Sequence, residues 1–176
     1  MIVPAEISVF IAALDGIYTL NGVHLPRMEH RMPDHRTPPT RTAFVFWWPI
    51  EVRWGDMDAL GHVNNIMYLQ YVESARVGLF ERLGWPVEAF AARGQGPLVV
   101  TQSFTYRRAV VYPAKLEVGL RCTEVRRSSF VLEFGIFYAG TDEAVGDGSV
   151  VSVWTDLKAG KGIEVPPELR EGLAGR

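Results

Sequence analysis

The sequence predicts an α+β domain in which one antiparallel sheet of about five strands wraps around a single long helix. Three observations carry this. A strand-like run, "AFVFWWPIEVRW", precedes one amphipathic pattern of about 18 residues. Four alternating apolar runs follow, separated only by stretches such as "VYPA", "RRS" and "GTDE". That spacing leaves no room for the crossover helices parallel strands require, so the strands pair antiparallel. A helix of that length measures roughly 27 Å and a ten-residue strand about 33 Å, so the sheet can cover the helix end to end.

The elements are justified in chain order. Residues 1–42 read as an N-terminal extension and linker: "AEISVFIAAL" is one short apolar helix or strand, and "PRMEHRMPDHRTPPTRT" has four prolines and no apolar period. Met28 and Met32 lie inside it and offer alternative starts. The domain is expected over 43–176. In its first strand Ile50, Val52 and Trp54 alternate with Glu51 and Arg53, which predicts one buried face, while Pro49 predicts an edge. "NNIMYLQYVESARVGLFERLGW" predicts a helix whose buried stripe is Tyr68, Val72, Ala75, Leu79 and Leu83, capped by Asn64 or Asn65 and stopped by Gly84 and Pro86. Glu73 and Arg76 sit three apart, an ion-pair spacing, with Glu73 also a candidate second carboxylate. "PVEAFAARGQG" predicts a short second helix. "LVVTQSFTYRRAV", "KLEVGLRCTEV", "SFVLEFGIFYA" and "AVGDGSVVSVWTDL" are the four strands, and "VPPELREGL" a terminal helix opened by proline.

Composition narrows the function. At 176 residues, 48% hydrophobic and 22% charged, the chain suits one globular domain. A net charge of −2 argues against nucleic acid as partner. No apolar run has the length to span a bilayer, and the N-terminus lacks the basic segment of a signal peptide, so the reading is a cytoplasmic protein. The lone Cys122 shares a face with Leu116, Val118 and Leu120 and reads as a small buried residue rather than a nucleophile.

The chemistry concentrates in "RWGDMDALGHVNN". Asp56 and Asp58 follow the first strand, and the helix begins about seven residues after Asp58, with Gly61 free to turn the loop. The first amides of a helix lack internal partners and carry partial positive charge, so they can hold an oxyanion. A carboxylate beside them can attack a carbonyl or activate water. Asp and Asn also serve plainly as turn and cap residues, and that reading of both aspartates stands beside the catalytic one. His62 is a candidate catalytic group and equally a loop hydrogen-bonder. A metal site from Asp56, Asp58 and His62 lacks a further ligand at useful local spacing, so none is expected.

The stretch "GDMDALGHVNNIMYLQYVESAR" closely resembles the signature of hotdog-fold acyl-CoA thioesterases of the 4-hydroxybenzoyl-CoA thioesterase superfamily, and "FTYRRAVVYPAKLEV" and "EVRRSSFVLEFGIF" are similar to that family's later strands. The resemblance covers roughly residues 45 to 160 in the family's order. It implies the hotdog fold, a homodimer or homotetramer, and an acyl-CoA substrate, with CoA as part of the substrate and no cofactor. By this resemblance Asp58 is the nucleophile or general base and the backbone amide near Asn65 the oxyanion contact. Arg126, Arg127 and Ser128 fall where the family presents groups to CoA phosphates, and Tyr68 is a substrate-binding candidate. Arg107 and Arg108 read equally as phosphate contacts or surface ion pairs. The 4-hydroxybenzoyl branch is more aromatic where this chain has "GHVNN", and the version here is similar to the branch acting on fatty acyl-CoA or acyl-carrier protein.

Three functions follow for comparison. The first is thioester hydrolysis. The second is hydration or dehydration of acyl thioesters, which needs an Asp and His poised over the acyl chain. The third is a non-enzymatic acyl-CoA-binding regulator with an N-terminal DNA-binding segment, although residues 1–42 show no basic recognition helix.

Overall fold

The computed structural model describes residues 37–175 and two short strands ahead of them. The chain divides into two compact units, Met1–Arg31 and Met32–Arg176. In the first unit β1 (Tyr18–Leu20) pairs antiparallel with β2 (Val23–Leu25). The apolar segment 5–14, expected as a helix or strand, lies outside the described residues.

The second unit has the expected order: β3 (Phe46–Glu51), α1 (Asn65–Arg82), α2 (Val87–Arg93), β4 (Gln95–Tyr106), β5 (Lys115–Val125), β6 (Ser129–Tyr138), β7 (Ala144–Asp156), a two-residue β8 (Lys161–Gly162) and α3 (Pro167–Leu173). The strands pair antiparallel in the order β3-β5-β6-β7-β4, with β8 added to β7. This is the hotdog arrangement, a curled sheet around one long helix. β3 and β4 are its two edges, and Pro49 on β3 is tolerated because an edge strand has one ladder to satisfy instead of two.

The stripe of α1 meets the inner faces of β5, β6 and β7 in a cluster that includes Tyr68, Val72, Ala75, Val118, Leu120, Phe134 and Ile136. A second cluster closes the other end around Phe80, Trp85, Phe130, Trp154 and Leu169. Burying an apolar side chain of this size stabilises by about 1.5–3 kcal/mol, so the two clusters supply the main driving force for the wrap. Gly78 of α1 makes room for a ring of the sheet: a Cβ there would lie 2.3 Å from the Trp48 ring of β3.

One expectation is corrected. Trp54 does not share the buried face of Ile50 and Val52; it is 78% exposed, because the strand ends at Glu51 and the chain turns into a one-turn 3-10 helix, Trp54–Asp56. Ahead of β3, the Arg41 guanidinium stacks 4.0 Å over Trp47 and pairs with Glu117 at 2.7 Å. Among the described residues no helix is long and apolar enough to cross a membrane.

Candidate active site

The head of α1 is assembled by hydrogen bonds within one loop. Asn64 is the N-cap, its Oδ1 accepting from the Ile66 amide at 3.0 Å. The Asn64 carbonyl accepts from the Met67 amide at 2.9 Å, and the Asn64 amide donates to the Asp56 carbonyl at 2.8 Å. Among the described residues nothing accepts from the Asn65 amide. One donor at the positive end of an 18-residue helix is therefore open.

Asp58 sits on the same loop, half-buried. One oxygen of its carboxylate accepts from the Leu60 amide at 2.8 Å, its own amide donates to the His62 carbonyl at 2.8 Å, and Gly61 turns the chain back with φ of 79°. Met57 and Val63 form a bridge across the base of the loop. His62 is exposed and contributes this carbonyl. The loop thus brings Asp58, His62 and the Asn65 amide to one end of the helix.

Asp56 is placed differently. It is 2% exposed, its Oδ2 accepting from Tyr71 Oη at 2.7 Å and the Arg53 amide at 2.9 Å, its Oδ1 from Arg53 Nε at 3.1 Å. Burial pushes this carboxyl up, but the donors from the Arg53 backbone, Tyr71 and the Arg53 side chain outweigh it and hold Asp56 below the usual carboxylate range. The pairing pushes the Tyr71 hydroxyl well above its ordinary value, burial first and the bonded carboxylate next.

The floor beneath the loop is aromatic. Tyr68 packs against Phe104 and Tyr106 of β4, each with ring centroids 5.6 Å away. Burial is the main cause that raises the Tyr68 hydroxyl, and the Asp58 charge acts in the same direction, which marks the two groups as electrostatic neighbours. Tyr106 Oη donates to the Asn65 carbonyl at 3.2 Å, tying β4 to the first residue of the helix.

The predicted phosphate-binding group is not part of this assembly within one subunit. Arg126, Arg127 and Ser128 form the β5–β6 turn, where Arg126 pairs with Glu124 at 2.5 Å and the carbonyls of Arg126 and Arg127 accept from Arg170. Ser129 pairs with Val153, which pairs with Leu98, so the turn lies at the opposite end of β4 from Tyr106, about 26 Å away at 3.3 Å per residue. Arg107 and Arg108 prove to be ion pairs, with Asp147 and Glu143 respectively. They line a cavity of about 480 Å³ with Asp142 and Glu143, whose charges offset theirs. Glu73 is exposed on α1 and bonds Arg76 at 2.7 Å, as its spacing predicts. No group of three metal-ligating side chains occurs among the described residues.

Sequence reasoning missed Tyr71 and Tyr106 as parts of the site. A signal existed for each. A tyrosine in a buried stripe must place its hydroxyl on a partner, and a tyrosine ending a strand beside the helix head is within reach of it.

A model of the thioesterase-like superfamily matches residues 52–173. The chain is 30% identical to the long-chain acyl-CoA thioesterase FadM of Escherichia coli over 124 residues, covering 70% of this chain and 93% of FadM. Among solved structures, PA5185 of Pseudomonas aeruginosa superimposes with a TM-score of 0.74 at 32% identity, over 79% of this chain and 96% of that one. A Thermus thermophilus thioesterase complexed with coenzyme A and Zn superimposes with a TM-score of 0.64 at 30% identity, over 75% and 94%.

Proposed function

We propose a thioester hydrolase on one premise: this chain belongs to the thioesterase-like superfamily, which its sequence matches over residues 52–173. The substrate is an acyl-CoA, with a fatty acyl chain preferred, and the products are the free acid and CoA. The observation that carries the reading is a half-buried carboxylate, Asp58, on the loop that leads into the open Asn65 amide at the head of α1.

The thioester carbonyl oxygen accepts from the Asn65 amide, where the helix dipole favours the negative charge that develops on it. Asp58 either adds to the carbonyl carbon, expelling the CoA thiolate and leaving an acyl–Asp58 anhydride that water opens, or takes a proton from the water that adds. Either route consumes one water and yields one acid and one thiol. His62 borders the loop, and the aromatic floor of Tyr68, Phe104 and Tyr106 is an apolar surface for the acyl chain. The relative named as a long-chain acyl-CoA thioesterase, at 30% identity, supports the fatty acyl preference.

The CoA moiety needs a second subunit in this reading. β4 is an edge strand with Leu98 and Val99 each 42% exposed. Two β4 strands joined antiparallel about a two-fold axis bring the Gln95 end of one against the Tyr106 end of the other. The partner's β5–β6 turn, with its Arg126, Arg127 and Ser128, then approaches the Asp58 loop and supplies cations to the CoA phosphates.

Thiol release from a panel of CoA thioesters, short to long acyl plus benzoyl, and from an acyl-carrier-protein thioester tests this directly. Asp58→Asn is expected to lower kcat by about 10²–10⁴-fold with the fold intact. Equal turnover by wild type and Asp58→Asn would overturn the assignment, and an absence of turnover on every thioester would favour a binding role. Single-turnover reaction in heavy-oxygen water bears on the route: label entering the Asp58 carboxylate marks an anhydride opened at the aspartyl carbon, whereas label confined to the acid is the outcome of water activation and equally of an anhydride opened at the acyl carbon.

A further inference from the structure

Asp56, the first aspartate of the "DMD" triplet, is buried and cannot meet a substrate, yet it is the most heavily bonded side chain at the head of the helix. Its carboxylate takes donors from the Arg53 amide, the Arg53 guanidinium and the Tyr71 hydroxyl. Its carbonyl takes the amide of Asn64, the residue that caps α1. One residue therefore ties together the chain leaving β3, the second turn of α1 and the helix cap. Asp58 lies two residues further along, on the loop that these ties enclose.

We propose that Asp56, clamped by Tyr71, is a positioning residue that sets the Asp58 carboxylate against the open Asn65 amide. The inference rests on the thioester-hydrolase reading. A turn alone does not require it: an asparagine in the same place would serve the backbone about as well. What a buried carboxylate adds is stiffness, because charge-assisted hydrogen bonds are shorter and roughly twice as strong as neutral ones. Stiffness matters here because an error of about 1 Å between a nucleophile and its oxyanion donor costs on the order of 10²-fold in rate. Arg53 balances the charge from a side chain that is 72% exposed, and Tyr71 supplies the one bond that reaches α1. Removing the Tyr71 hydroxyl breaks that bond, leaving the backbone tie from the Asn64 amide to the Asp56 carbonyl and the core ring in place.

The test compares Asp56→Asn and Tyr71→Phe with wild type, and uses Glu117→Gln as a control that breaks an ion pair on the sheet. Three quantities are read: kcat and KM per folded subunit on a thioester the wild type cleaves, Tm, and amide hydrogen exchange at Leu60 and Ile66. Those amides are bound by Asp58 and Asn64, so they report the loop without any turnover. Both variants are expected to lose about 10- to 100-fold in kcat, with KM within about twofold, and to exchange the two amides about tenfold faster. The control changes neither, whatever its Tm. Wild-type kcat in either folded variant, or activity that only tracks the folded fraction, overturns the proposal. If the wild type cleaves no thioester, it is the hydrolase reading that has failed. The exchange rates then decide the clamp alone, and unchanged rates at Leu60 and Ile66 in both variants overturn it.

Discussion

Asp56 links the site to stability through its protonation. Its folded-state carboxyl titrates below the ordinary value, so its contribution to stability is present above the unfolded pKa and is lost as pH falls through the lower, folded one. Denaturation curves of wild type and Asp56→Asn should therefore differ at neutral pH and converge in acid, below about pH 4. Convergence at neutral pH would contradict the bonding seen here. Gly78 carries a second residue-scale prediction. In an exposed helix, Gly→Ala gains about 1 kcal/mol from propensity alone. The overlap of a Cβ with Trp48 outweighs that gain, and Gly78→Ala is expected to destabilise by about 1–3 kcal/mol in urea titration. Cys122 is expected to alkylate roughly a hundredfold more slowly than an ordinary exposed thiol at pH 8, because burial pushes its pKa up to about 11.

The helix α1 works as an element in two ways, as the axis of the core and as the source of the open amide. Both depend on Asn64. Asn64→Ala removes the bond to the Ile66 amide and should cost about 1 kcal/mol in global stability. It also leaves a second first-turn amide unbound, so thermal melting together with thioester kinetics would separate the loss of the cap from any change in carbonyl binding. The strands show how the loop is held from below. β4 carries Phe104 and Tyr106 under α1, and across from them β7 has Gly148 and Gly146. A Cβ on Gly146 would lie 2.6 Å from the Phe104 ring. Small residues on β7 make room for aromatic ones on the neighbouring edge strand β4.

On the scale of the whole molecule, the edge of β4 decides the proposed assembly. An exposed edge with apolar side chains is a template for a further strand wherever charge or proline does not blunt it, which on β4 is the run after Pro97. Val99→Lys places a charge on that edge, on a side chain that is 42% exposed. Sedimentation of this variant is expected to give a monomer where wild type gives a dimer or larger. Its kcat/KM on acyl-CoA should fall together with the dimer, since the arginines proposed for the CoA phosphates would come from the partner. A wild-type monomer with full activity would remove the second subunit from the mechanism.

The strands, the helix and their order were legible in the sequence because each rests on a local period: two for strands and 3.6 for helices, with Pro, Gly and Asn marking the ends. The head of the helix was legible for the same reason, since cap, loop and Asp58 lie within a dozen residues. Local periodicity misread Trp54, which continues the strand's alternation in sequence after the backbone has turned away. Only the tertiary structure decided which aspartate is buried. The fate of Asp56 depends on Tyr71, 15 residues on in the chain, and a bond between such residues depends on how the loop folds back on the helix. The same holds for the arginines. Spacing could not tell Arg107 and Arg108, which follow Tyr106 at the end of β4 and pair with Asp147 and Glu143, from Arg126 and Arg127, which lie a strand's length away and pair with Glu124 and Glu164. Sequence determines what is close along the chain; partners across the sheet exist only once strand order and register bring them together.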